Sequence, residues 1–380
     1  MMALRIMVMA GGTGGHVFPA LAVAERLREQ GVDVVWLGTR KGLEADVVPR
    51  AGFPMEWISV AGLRGKGWLS WLLAPFRLVQ ALLQALLIMM RCRPMAVLGM
   101  GGFVSGPGGV MTWMLHKPLL IHEQNAVAGL TNRLLARLAR TAMEAFPASL
   151  PRRCHPLQTG NPVRIEMTRL PPPEERFRSR TGPLRLLVLG GSLGASALNE
   201  IIPLALQRLP VEFPVQVRHQ AGRHHISSAR DAYTDAGLPA RIEAFIDDMA
   251  SAYAWADLVI CRAGAMTVAE LSAVGVASIL VPYPFAVDDH QTANARYLAD
   301  AGAACLLPQH QLQPPRLARL IESLCLEEGA DGIDAPAIQK PVVDDIHRQR
   351  LCMMACAARR LAMPEATDKV ATACMEAAYG

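Results

Sequence analysis

Apolar and polar positions fall into short alternating blocks along this chain. Leu4 to Ala10 is an apolar run that breaks into Gly11-Gly12-Thr13-Gly14-Gly15-His16 and continues with helical periodicity. Leu184 to Leu189 repeats the pattern, breaking into Gly190-Gly191-Ser192-Leu193-Gly194-Ala195 before another helical stretch. Further apolar blocks at Val32 to Leu37, Ala96 to Leu98, Leu119 to His122, Val215 to His219, Leu258 to Cys261 and Ser278 to Val281 alternate with helical segments. This order predicts an α/β chain with parallel sheets covered on both faces. A strand that ends in glycines and opens a helix offers backbone N–H groups and the positive end of a helix dipole to an anion. Two such units predict two Rossmann-like domains facing a cleft.

Proline-rich sequence separates the two repeats. Asn161-Pro162 and Pro171-Pro172-Pro173, set among Arg and Glu, stiffen the chain up to Pro183 and predict an interdomain connection. A second break is expected in the acidic, Gly- and Pro-containing stretch Glu327 to Asp345. Arg350 to Ala378 is Ala- and Met-rich and helical, with Pro364 expected as an N-terminal helix residue. The expected domains are residues 1–162, with a C-terminal helix of about 360–380 packing back on them, and residues 163–359.

Trp68 to Met90 is almost unbroken apolar sequence, long enough to raise a membrane span. Arg77, Gln80 and Gln84 recur at helical spacing and count against a span, so an amphipathic helix fits better. Arg64, Lys66, Arg91 and Arg93 flank it, and Trp68, Trp71 and Phe76 stand at its start, a combination suited to an anionic membrane surface. The plain alternative is a crossover helix buried between strands.

Composition narrows the class. At 380 residues the chain has room for two cores, and 52% hydrophobic against 19% charged residues place it with globular proteins. A formal net charge of +5 is too small to argue for nucleic acid. The eight cysteines are dispersed without zinc spacing, which predicts reduced cytosolic thiols, and no secretory signal is visible before the first strand. Gly11 to Gly15 lacks dinucleotide spacing, Gly38-Thr39-Arg40-Lys41 offers no carboxylate to a ribose, and no Gly-Lys-Ser/Thr follows either turn. A nicotinamide or ATP enzyme is therefore disfavoured.

Eight ordered segments carry a more specific signal: GGTGGHVFP (Gly11 to Pro19), GLRGKG (Gly62 to Gly67), GMGGFVSGPGG (Gly99 to Gly109), HEQNAVAGLTN (His122 to Asn132), GNPVR (Gly160 to Arg164), GGSLGA (Gly190 to Ala195), FIDDM (Phe245 to Met249) and DDHQTAN (Asp288 to Asn294). Together they resemble the MurG family of peripheral membrane glycosyltransferases. The likeness runs from residue 4 to about 310 and resumes weakly near Pro364. It implies a GT-B fold and inverting transfer of N-acetylglucosamine from UDP-N-acetylglucosamine to the muramyl sugar of lipid I, giving lipid II for peptidoglycan at the cytoplasmic face of the inner membrane. Cell-wall and division proteins are the partners it implies, with no cofactor.

In the second half, the segment Arg262 to Glu270 follows a strand and opens a helix, so the N–H groups around Ala265, Met266, Thr267, Val268 and Ala269 can hold the leaving diphosphate. The resemblance gives Glu270 the ribose diol, Ser192 the phosphates and the backbone of Ile246 the uracil edge. Without it these read as a solvated helix charge, an N-cap and a core isoleucine. Gln291 and Asn294 share a helix face where neutral amides can bond sugar hydroxyls. The adjacent pair Asp288 and Asp289 is not a separated metal-binding pattern, so donor binding is expected without metal.

In the first half, Thr13, Gly14 and Gly15 are expected at the donor and acceptor phosphates. His16 is the leading general base, since an imidazole near neutrality can take the proton of an attacking hydroxyl. The alternative is a neutral histidine that only positions a phosphate. Glu123 and Asn125 are its rivals: Glu123 can supply the base, and Asn125 resembles a donor contact. Arg164 is expected to follow the nucleotide. The loop at Gly101 and Gly102 is expected at the acceptor pyrophosphate, with Ser105 donating. Leu193, Phe285 and Ala263 depart from residues frequent in the family, which bears on sugar contacts and not on backbone donors. The competing readings are another glycolipid glycosyltransferase and a non-catalytic sugar-nucleotide sensor.

Overall fold

The computed structural model describes residues 4–60, 73–191, 194–325 and 348–380. It divides into two compact units: Met1–Arg164 with Met363–Gly380, and Ile165–Ala362. Among the described residues, the first unit carries a seven-stranded parallel sheet in the order β3-β2-β1-β4-β5-β6-β7. Its strands are β1 (Arg5–Met9), β2 (Asp33–Gly38), β3 (Met55–Trp57), β4 (Ala96–Gly99), β5 (Leu119–Glu123), β6 (Thr141–Glu144) and β7 (Leu157–Gln158). The register sets Val8 beside Trp36 and Leu98, so the most apolar strands occupy the centre. Helices α1 (Gly14–Glu29), α2 (Glu44–Arg50), α3 (Ala74–Cys92), α4 (Ser105–Met114) and α5 (Leu130–Leu135) fill the crossovers.

The second unit holds a six-stranded parallel sheet, β10-β9-β8-β11-β12-β13. The strands are β8 (Leu184–Leu189), β9 (Val215–Gln220), β10 (Ala240–Glu243), β11 (Leu258–Cys261), β12 (Ala277–Leu280) and β13 (Ala304–Leu306). Three helices bear on the site: α6 (Ser196–Leu206), α7 (Ala265–Val274) and α8 (His290–Ala299). Leu186, Val188, Leu198, Ile202, Ile260 and Ile279 make the centre of its core.

The long apolar runs became the central strands. The strands β3, β6, β7, β10 and β13 escape the pattern because they are shorter than four residues or, as in β6 and β10, carry polar residues within four, which leaves no apolar block to separate from loop. The Pro-rich connection is also more ordered than its composition suggests. Gly160 to Arg164 belongs to the first unit, whereas Met167 and Phe177 are buried and Arg176 donates to the carbonyl of Val274 in the second. The C-terminal stretch splits into Gln349–Arg360 in the second unit and Ala366–Tyr379 in the first, where Val370, Ala371 and Cys374 enter the core. Pro364 precedes that last helix instead of starting it.

Helix α3 presents its small residues, Ala81 and Ala85, to the interior. Phe76, Val79, Leu83, Leu87 and Met90 face outward, with Phe76 74% and Leu87 66% exposed. This is an apolar exposed stripe, where the sequence suggested a polar face built on Arg77, Gln80 and Gln84. The crossover reading holds for one face only. Trp68, Trp71 and the GLRGKG segment lie outside the described residues, as do Ser192, Leu193 and the Glu327 to Asp345 stretch.

Candidate active site

In the first unit, the chain leaves β1 through the glycine turn and enters α1 at Gly14. Thr13 makes no side-chain capping bond, so the first-turn N–H groups of Gly14 and Gly15 keep their capacity for a ligand. The turn is not wholly bare, however. The buried carboxylate of Glu44, at the start of α2, accepts the N–H of Gly12 at 2.9 Å, the N–H of Thr39 at 3.0 Å and the Thr39 hydroxyl at 2.7 Å. Glu44 belongs to no glycine motif, so its sequence position carries no signal of this contact. Gly102 lies against the same turn with a φ of +82°, and a Cβ there would stand 2.3 Å from the Gly11 carbonyl oxygen, so two backbones meet where only glycine fits.

The loop after β4 also touches His16, since a Cβ on Gly101 would lie 2.8 Å from His16 Nδ1. The imidazole is half-buried, and its Nδ1 lies 3.0 Å from Gln124 Oε1. Nothing in the HEQN segment as sequence gives Gln124 a role, and the structure places its amide between two histidines. Its Nε2 sits 3.1 Å from His122 Nδ1 and donates to the His122 carbonyl at 3.2 Å. His122 Nε2 is 2.9 Å from the Gly160 carbonyl oxygen. Burial drives the His122 pKa down to about 4, against a smaller opposing effect of the Gly160 bond, so this ring is neutral at physiological pH.

Two expected chemical roles change here. Glu123 is buried and fully engaged: one oxygen accepts from the backbone and side-chain amides of Asn125 at 2.9 and 3.3 Å, the other from Gly129 N–H at 3.2 Å and Asn132 Nδ2 at 2.9 Å. A carboxylate so occupied shapes its loop and is not placed to abstract a proton. Ser105 is likewise buried. Its hydroxyl accepts from Gly101 N–H at 3.1 Å and lies within bonding distance of the carbonyls of Met9 and Gly101, so it fastens the glycine loop instead of reaching an acceptor.

In the second unit, α7 begins after β11 with Gly264 as an extended N-cap, no side-chain cap and no acidic residue in its first turn. Ala265 and Val268 are buried, while Met266, Thr267 and Ala269 are half-buried, so this turn offers backbone donors more than side chains. One turn on, half-buried Glu270 accepts a hydrogen bond from the buried Tyr253 hydroxyl at 3.0 Å. Gln291 Oε1 accepts from Tyr283 N–H at 2.8 Å, holding the loop ahead of α8. Asn294 is fully buried and donates to the Ala263 carbonyl at 3.1 Å, so its side chain props the start of α7 and is not available to a sugar. The Ile246 N–H is taken by Gln220 Oε1 at 3.0 Å, which leaves its carbonyl as the atom that can face a base. Arg164 ends the first unit as an exposed residue.

Thr13, Gly14, Gly15, His16, Gly101, Gly102 and the 122–125 segment therefore converge within the first unit, and the α7 start, Glu270 and Gln291 belong to the second. Comparison with known proteins agrees with this division. Residues 6–144 match the glycosyltransferase family 28 N-terminal domain, and residues 185–344 match the family 28 C-terminal domain. A protein of Nitrosococcus oceani described as UDP-N-acetylglucosamine--N-acetylmuramyl-(pentapeptide) pyrophosphoryl-undecaprenol N-acetylglucosamine transferase is 55% identical over 379 residues, covering 100% of both chains. An Alkalilimnicola ehrlichii protein of the same description is 57% identical over 378 residues, covering 99% of this chain and 100% of the other. The crystal structure of Acinetobacter baumannii MurG superposes with a TM-score of 0.80 at 41% identity, covering 98% of this chain and 99% of that one.

Proposed function

Because the chain belongs to the MurG family within glycosyltransferase family 28, we propose that it transfers N-acetylglucosamine from UDP-N-acetylglucosamine to the C4 hydroxyl of the muramyl sugar of lipid I, forming lipid II. The observation that carries the chemistry is His16, an imidazole at a glycine turn whose Nδ1 is engaged by Gln124. Nε2 takes the proton of the attacking hydroxyl as its oxygen bonds the anomeric carbon, and UDP leaves with the electrons of the broken glycosidic bond. One displacement inverts the anomeric centre. The first turn of α7 compensates the charge growing on the leaving diphosphate, because its backbone donors are fixed before the reaction begins. Glu270, steadied by Tyr253, accepts the ribose hydroxyls. Gln291 and Arg164 are further donor contacts, while Asn294 and Glu123 act by holding loops. The sensor reading is not favoured beside full-length relatives described as transferases.

The protein sits peripherally on the cytoplasmic face of the inner membrane through the α3 stripe. Trp113 and Met114 extend the exposed apolar surface on α4, which packs against α3, and Arg77 supplies charge for anionic headgroups. The test of function is UDP release from UDP-N-acetylglucosamine in detergent, with and without a lipid I analogue and with EDTA in parallel. Acceptor-dependent release that survives chelation is expected. Donor binding without release overturns the reading.

A further inference from the structure

We infer that His122 and Gln124, anchored on the carbonyl of Gly160, form a tautomer lock that holds the ring proton of His16 on Nδ1 and its lone pair on Nε2. The inference deepens the reading above and rests on His16 as the base. A carbonyl oxygen only accepts, so His122 Nε2, 2.9 Å from Gly160 O, carries that ring's proton. Because burial keeps His122 neutral, its Nδ1 bears a lone pair and accepts the Gln124 Nε2–H at 3.1 Å. The other hydrogen of that amide goes to the His122 carbonyl at 3.2 Å.

With both amide hydrogens spent, Gln124 cannot be turned over. A flipped amide would set its oxygen against a lone pair and a carbonyl, two repulsive contacts in a buried site. Gln124 Oε1 must therefore face His16 Nδ1, 3.0 Å away, and that nitrogen must carry a hydrogen.

The anchor is fixed independently. Gly160 has a φ of +80°, and a Cβ there would lie 2.6 Å from the Met363 Cβ, so the left-handed turn that aims its carbonyl admits glycine alone. The neighbouring Asn161 donates Nδ2–H to the Gln124 carbonyl at 2.9 Å. Three segments far apart in the chain, at the first glycine turn, at the end of β5 and at the GNP turn, thus form one proton-orienting unit. His122 and Gln124 are positioning residues in it, acting through His16. A neutral amide orients the imidazole without supplying the counter-charge that a carboxylate would.

The test is nitrogen-15 NMR of the histidines in the full-length protein, assigned with His16→Ala. The parent is expected to show a protonated Nδ1 and a bare Nε2 at His16. Gln124→Met, which keeps volume but loses all three side-chain hydrogen bonds, should bring up the Nε2–H form and lower kcat about 10- to 100-fold with the UDP-N-acetylglucosamine KM unchanged. In the His16→Ala background Gln124→Met should cost nothing further, as expected if it acts only through His16. A bare Nδ1 in the parent overturns the lock, and that measurement needs no variant to fold. A His16→Ala enzyme with parental kcat overturns the base assignment instead, so the two failures are told apart.

Discussion

Glu44 accepts the Gly12 N–H inside the first glycine turn, so a protein carboxylate occupies a donor that the sequence pattern offered to phosphate. The turn is thereby divided. Gly12 is held by Glu44, whereas the start of α1 at Gly14 and Gly15 has no side-chain cap. Removing the carboxylate strands three donors at Gly12 and Thr39. Glu44→Ala is expected to destabilise the protein by roughly 2–4 kcal/mol in urea unfolding, and Glu44→Gln by less, since the amide oxygen still accepts. Equal stability of Glu44→Ala and the parent would remove Glu44 from this role.

The proposed ribose contact of Glu270 would be steadied by the Tyr253 hydroxyl, which donates to its carboxylate. Glu270→Ala should raise the UDP-N-acetylglucosamine KM sharply and cost most turnover at limiting donor. Tyr253→Phe, which deletes one bond to the carboxylate, should raise the same KM by only a few-fold. Unchanged donor kinetics in Glu270→Ala would reject the ribose contact.

Membrane attachment by α3 predicts that Phe76→Ser, Leu83→Ser and Leu87→Ser together abolish sedimentation with anionic liposomes. Each side chain is exposed, so folding and UDP-N-acetylglucosamine binding should be retained. Burying such a side chain in a bilayer is worth about 1.5–3 kcal/mol, enough for three to decide attachment. Sedimentation equal to the parent would place the contact elsewhere.

Two buried histidines set an acid limit. Burial pushes His122 down to about 4 and His219 to about 3 from an ordinary 6.5. Between those values and 6.5 the unfolded chain binds more protons than the folded one, so stability is full above pH 6.5 and is lost as pH falls through the window. The loss for His122 alone is on the order of 3 kcal/mol by pH 4. His219 is held by Tyr233 and Asn199 in the second unit. His219→Gln should flatten the fall of the urea midpoint between pH 7 and 4.5, and a parallel fall in both proteins would count against the buried neutral state.

Much of this was legible along the chain because it depends on local order. The runs before Gly11 and Gly190 became β1 and β8, each the third strand of its sheet and flanked on both sides, since strands buried on both faces must be continuously apolar. Helix α3 was legible as a helix and not in orientation. Ala81 and Ala85 turn inward in a helix that packs against α4, and periodicity cannot say which of two apolar faces is covered.

The candidate site divides the same way. Residue order alone singled out the glycine turns, His16 and the start of α7, since a helix that opens on glycine has donors whatever surrounds it, whereas Glu270 stood out only through the family resemblance. Tertiary structure decided what the polar side chains do. Glu123, Ser105 and Asn294 look like reagents in a motif, yet each is buried among backbone groups that it satisfies. Glu44 and Gln124 gained roles because folding brought them 32 and 108 residues back along the chain, to Gly12 and His16. A sequence lists donors and acceptors one by one, whereas burial requires every one of them to be paired, and only the folded chain determines with whom.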